Sequence, residues 1–159
     1  MKIYLGSDHG GFKYKNAILN YLRANNYDCV DLGTYVEESC DYPIYARKVA
    51  NAVKKSKDKA CGILICGTGI GMSIAANKVK GIRASVCTDI FTAKATREHN
   101  DSNILCLGER VLTDENLMLD IVKTWLETPF SGEERHIRRI NMIEDNNVWI
   151  KIKNWIQRN

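Results

Sequence analysis

A chain of 159 residues has room for one full hydrophobic core and not for two ordinary domains. Hydrophobic residues at 45% and charged residues at 26% exclude wholesale disorder, and no apolar run approaches the roughly 20 residues of a membrane span. The net charge of +4 suits an anionic small molecule, whereas no Lys/Arg stripe interleaved with aromatics supports nucleic-acid binding. The chain begins directly with Lys2-Ile3-Tyr4-Leu5-Gly6 and no signal-peptide pattern, so the expected location is the cytoplasm.

In chain order, apolar segments at Ile3 to Gly6, Cys29 to Leu32, Gly62 to Cys66, Arg83 to Cys87 and Ile104 to Leu107 read as strands. Helical patterns alternate with them: Phe12 to Leu22, Tyr45 to Lys55 entered through Asp41-Tyr42-Pro43, Met72 to Lys78, Phe91 to His99 and Glu115 to Leu126. This alternation predicts a parallel sheet with helices on both faces. Thr128-Pro129-Phe130-Ser131-Gly132 breaks the pattern before a basic helix from about Glu133 to Glu144. The domain is expected over 1–146, with a helical extension over 147–159. There Val148, Ile152, Trp155 and Ile156 share an apolar face that needs a core or a second subunit to pack on.

Six cysteines do not read as a disulfide framework, because several lie in apparent core strands. Cys61 and Cys66 are five residues apart, so on one strand they face opposite sides of the sheet and cannot share a metal. The stretch that organises the chain is Cys66-Gly67-Thr68-Gly69-Ile70-Gly71-Met72-Ser73, where a buried strand turns into a helix. Such a turn aims backbone N–H groups and a helix N-terminus at one point, and a thiol there should ionise below its usual value of about 8.5. If the first strand neighbours the third, Ser7-Asp8-His9-Gly10-Gly11 meets this loop at the point where chain winding reverses.

Taken together, Gly6-Ser7-Asp8-His9-Gly10-Gly11, Asp41-Tyr42-Pro43, Gly62 to Gly71, Ala75-Ala76-Asn77-Lys78 and Arg97-Glu98-His99-Asn100-Asp101 closely resemble the type B ribose-5-phosphate isomerases. The resemblance covers roughly positions 1–145. It implies a Rossmann-like three-layer α/β/α sandwich with a five-stranded parallel sheet. It further implies a homodimer or tetramer with the active site between subunits, and no metal or cofactor.

The implied reaction is aldose–ketose isomerisation of ribose 5-phosphate and ribulose 5-phosphate through an enediolate. Cys66 matches the family's catalytic base; members that use a carboxylate carry it further along the loop, where this chain has Met72 and Ser73. Amides of Gly67, Gly69 and Gly71 with the hydroxyls of Thr68 and Ser73 suit the enediolate charge. His99 matches the ring-opening residue, and an imidazole of ordinary pKa near about 6.5 exchanges protons at neutral pH. Asp8 and Asp41 are expected either to orient that imidazole or to hold sugar hydroxyls, and Tyr42 is placed with the substrate-binding residues. Arg135 and Arg139, four apart on one helix face, are expected to converge on the phosphate with Arg110, His9 and His136. His99, Asn100 and Arg110 are expected from the neighbouring subunit.

Within the same fold, isomerases of allose 6-phosphate or galactose 6-phosphate are the alternatives. The galactose-6-phosphate isomerase subunits generally lack the equivalents of Asp41 and His99, both present here. A nucleotide-binding module would need G-x-G-x-x-G on the first turn, where this chain puts Asp8, although Asp31 does end the second strand. A thiol redox protein would carry Cys-x-x-Cys, which the sequence lacks.

Overall fold

The computed structural model describes residues 1–56, 58–144 and 155–158. Five parallel strands form one sheet: β1 (Lys2–Ser7), β2 (Asp28–Asp31), β3 (Ala60–Cys66), β4 (Ala84–Val86) and β5 (Ile104–Gly108). Among the described residues the helices α1 (Phe12–Ala24), α2 (Tyr42–Lys55), α3 (Ile70–Ala76), α4 (Ile90–Asn100), α5 (Glu115–Glu127) and α6 (Glu134–Glu144) accompany them. The three-layer α/β/α fold expected from the sequence is therefore the one formed. The extension over 147–159 falls, apart from 155–158, outside the described residues; Trp155 and Ile156 are exposed.

β3 shows why a parallel sheet needs two cores. Its side chains alternate with period two, so Cys61, Ile63 and Ile65 enter one apolar cluster with α1 and α5, whereas Leu64 and Cys66 enter the other with α2 and α3. Cys61 and Cys66 thus lie on opposite faces, as their spacing requires. Each fully buried Leu or Ile contributes about 1.5–3 kcal/mol relative to exposure, and in the three central strands Ile3, Leu5, Ile63, Leu64, Ile65, Ile104, Leu105 and Leu107 do so.

The strand order is β2-β1-β3-β5-β4. The first strand does neighbour the third, which puts the reversal of winding between β1 and β3. β5 enters between β3 and β4, so the chain crosses over its future position and then returns to fill it.

Helix boundaries depart from the periodicity for local reasons. α2 begins at Tyr42, three residues before the apolar pattern, because Pro43 suits a first helical turn that has no N–H partner to lose. α3 begins at Ile70, directly after Gly69 at φ 77°. It stops at Ala76 because the Asn77 side chain pairs with the Ala84 backbone, donating to its carbonyl at 2.9 Å and accepting from its N–H at 2.8 Å. No described helix is long and apolar enough to cross a membrane.

Candidate active site

At the carboxyl ends of β1 and β3 the chain leaves the sheet through two glycine corners that touch. Asp8 leads from β1 into a single 3-10 turn, His9–Gly11, and Gly67 to Gly69 lead from β3 into α3. A methyl group on Gly10 would stand 3.2 Å from the Gly67 nitrogen. Gly69 adopts the left-handed conformation and lies on β5, with the Leu107 backbone 3.0 Å from where a Cβ would sit, so a larger residue would be strained twice over.

The buried Cys66 side chain points into this corner, and its sulfur accepts the Gly69 N–H at 3.1 Å. The exposed Thr68 hydroxyl accepts from the Ile70 N–H at 3.4 Å. Ser73 donates instead to the Ile70 carbonyl at 2.9 Å, so its hydroxyl proton is turned back on its own helix.

Three further segments close around the thiol. The N-terminus of α2 brings Tyr42, whose ring lies against Gly71, and exposed Asp41, whose carboxylate makes no capping hydrogen bond. The preceding Cys40 N–H donates to His9 Nδ1 at 3.2 Å, which leaves the ring proton on Nε2. From β5, the Glu109 N–H donates to the Cys66 carbonyl at 2.9 Å and the Arg110 N–H to the Gly67 carbonyl at 3.0 Å. The Arg110 side chain thereby lies on Gly67 of its own chain, with Cδ 3.3 Å from where a Cβ would sit. The expectation that Arg110 comes from a neighbouring subunit is corrected to that extent: β5 is β3's immediate neighbour, so its exit loop lands beside Cys66.

Asp8 and Ser7 carry the least expected feature of the corner. Asp8 is 7% exposed, and its Oδ1 and the Ser7 Oγ are buried without a hydrogen-bond partner among the described residues. An unsatisfied buried polar group costs about 1–3 kcal/mol, a cost retained where a ligand supplies the missing partner. Burial pushes the Asp8 carboxyl above its usual range, against the pull of His9, the Gly10 and Gly11 amides and Arg110.

A carboxyl whose folded pKa is raised binds its proton more tightly in the folded chain. Its penalty is absent at low pH, enters as pH rises through the ordinary Asp value of about 3.9, and is complete above the folded-state value. Asp8→Asn is therefore expected to raise the Tm at pH 7, to lose that advantage below about pH 4, and to lower activity at every pH. Thermal melts across pH read alongside turnover check this; an Asn variant that is both less stable at pH 7 and fully active removes Asp8 from the site.

The remaining candidates form a second cluster elsewhere. Asn100 and Asp101 end α4, where Arg83 donates to both of their carbonyls, and Asn103 bridges to Arg83 and Gly62 at the amino ends of β4 and β3. His99 and Asn100 are exposed there, and the His99 ring packs on His136 of α6 with centroids 4.5 Å apart. His136 is 2% exposed, its Nδ1 shares a hydrogen bond of 2.7 Å with Ser131 Oγ, and burial pushes it below the usual imidazole value, with Arg135, His99 and Arg139 adding to the shift and Glu133 opposing it.

Arg135 is already paired with Glu133 at 2.7 Å, whereas Arg139 makes no ion pair among the described residues. A shallow groove of about 210 Å³ lined by Phe91, Lys94, Ala95, Glu98 and His99 runs along α4. A larger concavity of about 400 Å³ at the amino ends of the strands is walled by Arg83 and Arg97, both engaged by Asp101, and holds none of the predicted groups.

One chain thus divides the expected site. Asp8, His9, Asp41, Tyr42, Cys66, Gly67, Thr68, Gly69, Gly71, Ser73 and Arg110 gather at the carboxyl ends of the strands. His99, Asn100, Arg135 and Arg139 lie around the end of α4 and along α6. β3 alone spans about 20 Å between the amino and carboxyl ends of the sheet at about 3.3 Å per residue, more than a pentose phosphate can bridge.

The family model described as Ribose/Galactose Isomerase matches residues 3–143. This chain belongs to the ribose/galactose isomerase family. Within it, ribose-5-phosphate isomerase B of Escherichia coli is 46% identical over 142 residues, covering 89% of this chain and 93% of that protein. The solved ribose-5-phosphate isomerase B of Clostridium thermocellum is 51% identical with a TM-score of 0.88, covering 96% of this chain and 99% of the other. That of Mycoplasma genitalium, solved with bound ribulose 5-phosphate, is 42% identical with a TM-score of 0.85, covering 89% and 93%. The family's fold and the sheet seen here agree.

Among the described residues no three His, Cys, Asp or Glu side chains converge as a metal-ligand group. Two members of the corner had no role in the sequence reading: Ser7, which lies within the first glycine motif, and the Cys40 amide, which lies in none. The signal for Ser7 was available, since it is the last residue of a strand at the winding reversal; that for Cys40 was not, because a backbone N–H carries no sequence identity.

Proposed function

We propose that this chain interconverts D-ribose 5-phosphate and D-ribulose 5-phosphate, with each active site completed by a second copy of the chain. The observation that carries the reading is the Cys66 corner. A thiol with an amide on its sulfur shares this corner with a buried carboxylate oxygen that lacks a partner among the described residues and an imidazole held in one tautomer.

In this reading the furanose ring oxygen O4 of the closed sugar receives a proton from His99 of the second copy as the C1–O4 bond breaks, and the anomeric hydroxyl gives up its proton to water, leaving the open aldehyde. Cys66 thiolate removes the C2 proton and the carbonyl oxygen gains negative charge as the enediolate forms. Amides of the Gly67 to Gly71 loop and the Thr68 hydroxyl stand near that charge before reaction, so little reorganisation is required. The O2 hydroxyl proton passes to O1, and the same sulfur then returns the C2 proton to C1 and leaves the C2 ketone of the ketose. Asp8, Asp41 and Tyr42 hold sugar hydroxyls, and Asn100 of the second copy adds an amide. Arg139, with Arg110, His9 and, after release from Glu133, Arg135, receives the phosphate.

The two-copy reading is supported by apolar surface that one chain leaves uncovered. Ile70 and Ile74 on α3 and Ile90 and Phe91 on α4 are exposed, Phe91 to 77%, beside the corner and beside the His99 groove respectively. Closed two-fold pairing places one patch on the other reciprocally and carries His99 to Cys66 twice.

Purified protein treated with chelator is expected to interconvert ribose and ribulose 5-phosphates; inactivity on every sugar phosphate sinks the proposal. Because the family includes hexose enzymes, the same assay is run on allose 6-phosphate and galactose 6-phosphate. One extra hydroxymethylene shifts selectivity by only about 1–3 kcal/mol, so a faster hexose rate would move the substrate assignment without moving the chemistry. Arg139→Ala is expected to raise KM for ribose 5-phosphate by about tenfold or more and to leave that for unphosphorylated ribose almost unchanged. Equal effects on both sugars would remove Arg139 from the phosphate grip.

A further inference from the structure

Lys15 breaks two local rules at once. It lies in the first turn of α1, where a cation opposes the helix dipole, and it is 1% exposed, where an ammonium is costly. Consistent local choices are the norm in folded chains, and a violation of this kind points to a role.

The surroundings of Lys15 show what it holds. Its Nζ pairs with Asp31 Oδ2 at 2.5 Å and lies 5.5 Å from the ring centroids of both Phe12 and Tyr35. Asp31 uses its other oxygen to accept the Gly33 N–H at 2.9 Å, and its carbonyl accepts the Tyr35 hydroxyl at 3.1 Å. Residues 31–35 are thus clasped on one buried ammonium. The same short stretch is bonded to the end of β1 in both directions: Ser7 N–H donates to the Gly33 carbonyl at 2.7 Å, and Thr34 N–H donates to the Ser7 carbonyl at 2.8 Å. From there the strap runs to Cys40, whose N–H meets His9 Nδ1.

We propose that Lys15 is a positioning residue for the substrate site: by clasping residues 31–35 against the end of β1 it seats Cys40 on His9 and so fixes which nitrogen of His9 faces the ligand. The proton is held on Nε2, where it serves as a hydrogen-bond donor to an anionic oxygen. Released from the strap, His9 exchanges tautomers and rotamers, and the donor is correctly presented for only part of the time. Lys15 touches no substrate and moves no proton. This inference rests on the proposed placement of His9 at the sugar phosphate, but its structural half is measured without substrate.

The test uses full-length protein and Lys15→Met, which keeps the stem and removes the charge. The chain has three histidines, so the ring ¹⁵N signals can be assigned with single substitutions. Wild-type protein is expected to show His9 with unprotonated Nδ1 and protonated Nε2, and Lys15→Met to show the averaged pattern of a free imidazole. KM for ribose 5-phosphate should rise about tenfold with kcat within about twofold, the signature of a lost binding donor and not of a lost base.

Lys15→Arg should recover most of the KM. A folded Lys15→Met protein with the wild-type ¹⁵N pattern overturns the proposal. A changed ¹⁵N pattern with unchanged KM shows that Lys15 positions His9 and that His9 does not grip the substrate, which overturns the placement of His9 and with it the functional half of the inference. If Lys15→Met fails to fold, Tyr35→Phe replaces it: Tyr35 is 68% exposed, its hydroxyl is one end of the clasp, and the same two shifts are expected in smaller measure. Their absence in Tyr35→Phe and in Asp31→Asn overturns the proposal.

Discussion

Cys66→Ala is expected to lower kcat for ribose 5-phosphate by about three orders of magnitude, within the range that a positioned acid or base supplies, while KM moves less than about threefold. The asymmetry follows from where the sulfur sits. Cys66 ends β3 with its backbone clamped by Glu109, so removing Sγ leaves the corner's shape in place and deletes one donor–acceptor pair, that with the Gly69 N–H. In the proposed mechanism other groups hold the sugar hydroxyls and the phosphate, so ground-state binding is expected to survive. Steady-state kinetics on folded variant protein decide the matter. A kcat within about tenfold of wild type transfers the role of base to another residue, with Asp8 the first candidate.

Subunit mixing should give the second large effect. Cys66→Ala and His99→Asn proteins are each expected to be nearly inactive as homomers. Co-expressed with different tags and isolated as the doubly tagged species, they should recover about half the wild-type rate per dimer, because two-fold pairing collects both lesions in one site and leaves the other intact. If Cys66 and His99 of one chain acted together, every site in that mixed dimer would carry one lesion, and no activity would return. The experiment therefore separates a shared site from a self-contained one without a structure of the assembly.

The sheet and the thiol corner were legible in the sequence for definite physical reasons. Strands buried on both faces read as unbroken apolar runs, and Cys61 to Cys66 is one. The turn after it announces itself because Gly69 must adopt a positive φ. Long-range placement was not legible. Nothing local says that β5 inserts beside β3, so Arg110 could not be assigned to the Cys66 corner from order alone. Lys15 reads as one more cation on an amphipathic helix, because its partner Asp31 is 16 residues away on β2. His136 sits among arginines in a segment that looks solvated, yet packing against α4 buries it under His99. Periodicity reports which face is apolar; it does not report which polar residue a neighbouring helix will cover.

The order β2-β1-β3-β5-β4 also bears on how the chain acquires its shape as it is made. With residues up to 86 emerged, β2, β1 and β3 can already pair, but β4 has no neighbour, since among the described residues its ladder is with β5. A nascent chain that stops short of Ile104 presents β3 as an open edge of apolar backbone beside the helix α3 and carries β4 as an unpaired apolar segment. The last strand to be synthesised is thus the keystone of the carboxyl-terminal half, and the loop that leaves it, Glu109-Arg110, completes the corner around Cys66 in the same event.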